Sequence, residues 1–171
     1  MNRIFVLLRY DWPLHFVLLF TNWLPDNVIF LRLRGWCCSI FIGNCGKNLR
    51  IGRNNIFYNP SKINIGNDVY IAHNNWFCAS GEINIGNEVI FGPLNTIVAA
   101  GHTKHNGSYR YGKEPSLNIK IGDGSWITSQ CVVTGGTIIN NGVLLAANSV
   151  TGGKELEANS TYAGSPANKI K

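Results

Sequence analysis

The stretch INIGNDVYIAHNNWFCASGEINIGNEVIFGPLNTIVAAGH, Ile63 to His102, divides into two lines of twenty residues. Ile63-Asn64-Ile65-Gly66-Asn67 returns as Ile83-Asn84-Ile85-Gly86-Asn87, Asp68 is answered by Glu88, and Val69 by Val89. A shorter beat runs inside each line. Ile65, Ile71 and Phe77 stand six residues apart, as do Ile85, Phe91 and Ile97. After a gap the beat resumes at Ile121, Ile127, Val133, Ile139 and Leu145. Four residues after an anchor the side chain is mostly small or β-branched (Val69, Val89, Ser125, Cys131, Thr137, Val143, Ser149), with Asn75 and Asn95 as the polar exceptions.

A period of six matches neither an α-helix at 3.6 nor an alternating strand at 2. It matches a chain that makes a short strand, turns a corner and repeats, so that three sides close one coil of a triangular parallel β-helix. Anchors then stack inward from coil to coil, and Gly and Asn suit the corners because both enter the left-handed backbone region cheaply. The expected architecture is an all-β solenoid with a short N-terminal helical segment and an extruded loop.

Working outward, Ser39 to Lys62 carries an imperfect start of the repeat and should form the first coil. Residues 1–36 differ in kind, being rich in Leu, Phe, Ile and Trp with Arg3, Arg9, Arg32 and Arg34 at the flanks. The apolar run Leu14–Phe20 is short of the roughly 20 residues a bilayer span requires, and no small-residue cleavage site follows it. Two short helices are expected, about 13–22 and 26–34, with Pro13 near the start of the first and Asp26 capping the second. This segment reads as a cap over the open end of the solenoid, and peripheral contact with a membrane is compatible with that role through Trp12, Trp23 and Trp36. The remainder, 37–171, is one repeat domain. Gly101 to Asn118 has no anchors and reads as a structureless insertion, which in a compact fold is usually functional. From Ile119 to Thr151 two further coils follow, and the tail from Gly152 loses the beat.

The chain has 171 residues, 14% of them charged, 19 glycines and a formal net charge of +6, a balance that favours anionic partners such as phosphates or an acidic membrane surface. A nucleic-acid partner is not expected. Five cysteines without paired CxxC spacing suggest neither a disulfide framework nor a zinc ribbon, so a reducing, cytoplasmic setting is the simplest inference. No GxSxG elbow, P-loop or GxGxxG fingerprint is present. His102 ends a strand where the loop begins, and imidazole titrates near neutrality, so His102 is the candidate general base.

Three segments carry a resemblance: Ile97-Val98-Ala99-Ala100-Gly101-His102 before the loop, Ile121-Gly122-Asp123-Gly124-Ser125-Trp126-Ile127-Thr128 after it, and Gly164-Ser165-Pro166-Ala167 near the end. Over about residues 42–171 the chain resembles the hexapeptide-repeat acyltransferases, in particular the sugar O-acetyltransferase branch. The resemblance implies a left-handed parallel β-helix, a homotrimer, and acetyl-CoA in the groove between two subunits. It implies that His102 deprotonates a sugar hydroxyl, with surface polysaccharide biosynthesis as the setting. It places Trp126 and Ser129 along the pantetheine arm, Ala147 on it through the backbone, and Lys154 and Lys171 towards the CoA phosphates. For the acceptor it implies a polar residue in the coil before the histidine, a role open to Asn74 or Asn75, although turn geometry explains both asparagines equally well. Tyr109 or Tyr111 could stack on a sugar ring. Two departures stand out: Asn168 rather than a basic residue follows Pro-Ala, and Gly152-Gly153-Lys154 is one residue longer than the usual turn. Sugar N-acetyl transfer fits the same residues. A trimeric zinc enzyme using His73, His102 and His105 is a third reading, which leaves the C-terminal motif without a role.

Overall fold

The computed structural model describes residues 3–171. Among the described residues, seventeen short strands wind into a left-handed parallel β-helix with three sheets as its sides. Sheet A stacks β1 (Asn44–Cys45), β4 (Ile63–Ile65), β7 (Ile83–Ile85), β10 (Ile119–Ile121), β13 (Ile138–Ile139) and β15 (Glu155–Leu156). Sheet B stacks β2 (Arg50–Ile51), β5 (Tyr70–Ile71), β8 (Ile90–Phe91), β11 (Trp126–Ile127), β14 (Leu144–Leu145) and β16 (Thr161–Ala163), with β17 (Asn168–Lys169) antiparallel at its end. Sheet C holds β3 (Ile56–Tyr58), β6 (Trp76–Cys78), β9 (Thr96–Val98) and β12 (Val132–Thr134). Partners in sheet A run Ile65, Ile85, Ile121, Ile139 and Leu156. The offsets are therefore 20, 36, 18 and 17 residues, and the 36 contains the inserted loop.

Every six-residue anchor named above is buried. Their column is the core, with Phe57 stacked on Phe77 at 5.0 Å and Phe91 edge-on to Phe77 at 5.3 Å. The polar exceptions form an internal ladder with Asn55. Asn75 N donates to Asn55 Oδ1 (2.9 Å), Asn95 N to Asn75 Oδ1 (2.9 Å), and Cys131 N to Asn95 Oδ1 (2.8 Å). Each amide thus replaces, at an inward corner, the pairing that buried backbone requires.

The ends differ from expectation. The tail keeps winding: β15 (Glu155–Leu156) joins sheet A, and Leu156 and Tyr162 are buried. The beat is masked because Thr151 fills a side as a buried hydroxyl, bonded to Thr137 Oγ1 at 2.7 Å, and Gly152 and Gly153 turn with φ of +70° and +72°. At the other end the first helix spans Arg3–Thr21 instead of beginning at Pro13. It tolerates Pro13 because the preceding turn, Leu7–Asp11, is π-wound, with Trp12 N–H reaching back to Leu7 O. By length and composition this helix could cross a membrane, which the Leu14–Phe20 run alone could not. The second helix is Val28–Ser39, longer than expected, and Asn27 rather than Asp26 caps it by accepting from Phe30 N (3.1 Å). Asp26 instead accepts from Arg34 Nη1 at 3.0 Å and from Arg53 N at 3.1 Å. The helix rests on the first coil at Gly35, where a Cβ would stand 1.9 Å from Leu49 O.

Candidate functional site

Between β9 and β10 the chain leaves the prism at the corner joining sheets C and A. The insertion is more ordered than its lack of anchors implied. Thr103 N and Oγ1 donate to Lys113 O at 3.0 and 2.9 Å, and Ala100 bridges Ser116. At the tip His105 and Ser108 exchange backbone bonds around Asn106-Gly107, both at positive φ. Asn-Gly is the strongest short hairpin signal, and it was available in the sequence. Gly112 allows the two arms to close, since a Cβ there would sit 1.6 Å from Thr103 O.

His102 is fixed at the root of this hairpin and its side chain is 58% exposed. Glu114, on the returning arm, places Oε1 3.9 Å from His102 Nδ1. The carboxylate attracts a protonated imidazole through Nδ1 and leaves Nε2 for another partner. Glu114 was not foreseen, because a pairing across twelve residues depends on the hairpin. Lys104 lies 5.9 Å from the Tyr109 ring centre, and Tyr109 and Tyr111 are exposed on the same loop.

Trp126, Ser129 and Ala147 gather at a different corner, between sheets B and C. β5, β8, β11 and β14 pair in register at Ile71, Phe91, Ile127 and Leu145. Two residues further along each strand, His73, Pro93, Ser129 and Ala147 therefore stack along the corner. Trp126 stands one coil from Ile90 and one from Leu144 on the outer surface of sheet B. A groove of about 410 Å³ follows this corner, lined by Tyr70, His73, Ile90, Pro93, Trp126 and Ser129. Apolar walls with a hydroxyl at one edge suit an extended, mixed-polarity chain such as a pantetheine arm. His73 joins this groove because the two twenty-residue lines superpose His73 on Pro93, a relation legible in the repeat. Cys131 follows two residues later but is buried, and burial pushes its thiol up, so it offers no thiolate nucleophile.

Not every candidate has free atoms. Asn75 is 1% exposed; its Oδ1 is taken by Asn95 N and its Nδ2 by Ala72 O. It belongs to the interior ladder, not to an acceptor pocket. Asn74 is exposed at φ +61°, a left-handed corner position. Lys154 Nζ donates to Ala167 O, tying the Gly152-Gly153 turn to the C-terminal motif. Lys169 pairs with Glu157 at 2.5 Å, while Lys171 is exposed at the chain end. Among the described residues no three His, Cys, Asp or Glu side chains converge, so one chain does not bring His73, His102 and His105 together.

The three faces are chemically unlike. Sheet A presents Asn44, Asn64, Asn84, Lys120, Ile138 and Glu155, mostly polar, with Asn44 donating to Asn64 (2.6 Å) and Asn64 to Asn84 (2.7 Å). Sheet B presents Ile90 and Trp126, and sheet C presents Ile56, Tyr58 and Trp76, all exposed. Exposed apolar faces of this kind are surfaces available to a partner, a ligand or a membrane.

No protein-family model matches the sequence, and no curated protein matches it. Solved structures do. A maltose O-acetyltransferase from Clostridium difficile 630 matches at 22% identity over 99% of this chain and 88% of its own, with a TM-score of 0.80. A hexapeptide-repeat acetyltransferase from Vibrio cholerae, complexed with acetyl coenzyme A, matches at 21% identity, 99% and 89% coverage and a TM-score of 0.82. A galactoside acetyltransferase in complex with coenzyme A matches at 24% identity, 100% and 83% coverage and a TM-score of 0.83. At these identities the shared property is the fold.

Proposed function

We propose that the protein is an acetyl-CoA-dependent O-acetyltransferase acting on a sugar hydroxyl, assembled as a homotrimer. The observation that carries this is the division of the site: His102 on its hairpin stands at one edge of sheet C, and the Trp126–Ser129 groove at the other. Acetyl-CoA would supply the activated acyl thioester. Trp126 and Ile90 would cover the apolar arm, Ser129 and the backbone of Ala147 would meet its amides, and Lys171 is the cation best placed for phosphate. A neighbouring copy would bring its His102 to that groove. Nε2 of His102 takes the proton of the acceptor hydroxyl as the oxygen bonds to the acyl carbon, and returns it to the departing sulfur. Glu114 stabilises the imidazolium in between. Tyr111 and Asn74 are the exposed groups available to a sugar ring. A cytoplasmic role in modifying a surface polysaccharide or its precursor fits this acceptor class.

The test is His102→Ala. Acetyl transfer to a panel of sugars and amino sugars, followed by thiol release, should fall by about 10²–10⁴-fold, the share a positioned base contributes. The thermal shift induced by CoA should persist. Turnover retained in the variant would remove His102 from the role, and a light-scattering mass other than three times 18.9 kDa would remove the trimer.

A further inference from the structure

We propose that the N-terminal helical pair is a foot that lies on an anionic lipid bilayer. Among the described residues, fourteen of the twenty-four exposed large apolar side chains fall between Ile4 and Ile40. Within the first helix only Leu14 and Leu18 are buried. A helix whose exposed side chains are mostly apolar requires a surrounding that water does not provide. The second helix adds an outward stripe, Ile29, Leu33, Trp36 and Ile40, spaced for one face and exposed at every position.

Charge selects the occupant. The segment has two acids: Asp11 is half-buried, and Asp26 is consumed by Arg34 and Arg53. Arg3, Arg32 and Lys47 are exposed, and among the described residues none of them forms an ion pair, although the Asp68 amide donates to Lys47 O at 2.9 Å. Arg32 and Lys47 line a cavity of about 420 Å³ between the second helix and the first coil, with Trp36 at its rim. Two cations and an indole beside an apolar stripe fit a lipid phosphate above acyl chains. A second copy of this chain would meet those cations with its own, a like-charge contact that opposes pairing. The helix lies flat rather than spanning, because Leu14 and Leu18 are packed into the solenoid core and Arg9 Nη1 donates to Ile40 O at 2.9 Å.

The test is flotation of the full chain with vesicles of pure phosphatidylcholine and of phosphatidylcholine with phosphatidylglycerol. Binding should require the anionic lipid and weaken with salt. Arg32→Ala with Lys47→Ala should lower the partition by roughly thirty-fold, about a kcal/mol per cation at a charged surface, with an unchanged melting temperature because both side chains are exposed. Trp36→Ser should also lower it. Equal binding to both vesicles, or none to either, overturns the proposal. So does a Trp36→Ser variant that loses oligomer mass while vesicle binding stays intact, which would assign the face to a second copy. None of these readouts depends on acetyl transfer.

Discussion

Asn75→Ala separates an interior asparagine from a substrate-orienting one. Among the described residues Asn75 Oδ1 is the sole partner of the Asn95 amide, while its Nδ2 shares Ala72 O with Asn55 Nδ2. Truncation therefore strands one buried N–H, worth about 1–3 kcal/mol, and leaves Ala72 O satisfied. The vacated space beside the column adds roughly 1 kcal/mol. A total of about 2–4 kcal/mol corresponds to a melting temperature lower by about 5–15 °C for a chain of this length. Circular dichroism melting at fixed protein concentration reads this directly. Transfer activity measured well below the melt should stay within about threefold. The opposite pattern, an unchanged melting temperature with activity reduced about a hundredfold, would refute the ladder and return Asn75 to the acceptor site. Asn74→Ala is the control: it should cost only about 1–2 kcal/mol, the strain of a left-handed position without Asn.

Arg34→Ala should destabilise by about 3–5 kcal/mol, the loss expected when one partner of a buried pair is removed. Its guanidinium is fully buried and holds Asp26, Ile51 O, Thr21 O and Leu24 O together; early proteolysis within residues 3–39 would mark the released helices. Arg34→Lys should recover little of this, having no planar fork. Burial pushes the Cys45 thiol up from 9.0 to about 11. Its alkylation at pH 8 should be slow and rise towards pH 11. Because the folded value is the higher one, the stability this thiol contributes is present below pH 9.0 and lost as pH climbs towards 11. Fast labelling of Cys45 at pH 8, mapped by peptide mass, would contradict its burial.

The column of the solenoid was open to sequence reading because each anchor repeats at fixed offset and all of them are buried. What escaped reading lacks a period. The first helix is apolar over most of its surface, so no clear phase marked its start, and the π turn before Pro13 leaves no residue signature. Past Leu145 the inward positions become Thr151 and Tyr162 around two glycines, and a hydrophobic count fails there although the coil continues. Asn75 shows a third reason: an asparagine inside a corner and one facing a substrate are the same letter until the ladder to Asn55 and Asn95 is seen. His102 was legible as the residue where the beat stops. Its partner Glu114 was not, since their approach depends on Thr103 and Lys113 pairing across Gly112.

The unlike faces bear on how copies would meet. Taken as an equilateral prism, a coil has outer faces whose normals differ by about 120°. Laying sheet B of one copy flat on sheet C of the next turns each copy by about 60°, a contact that closes as a ring of six and leaves no groove. A ring of three requires the two faces to diverge by about 60°, so a wedge opens between neighbours along the whole solenoid. One wall of that wedge carries Ile90 and Trp126, with Ser129 and Ala147 at its inner corner. The other wall is sheet C, with the partner copy's hairpin and histidine at the outer corner. A long thin donor fits such a wedge, and the polar Asn ladder of sheet A is left facing water. In the same ring the solenoid axes run parallel, so all three helical caps come to one end, where a flat lipid surface could meet them together.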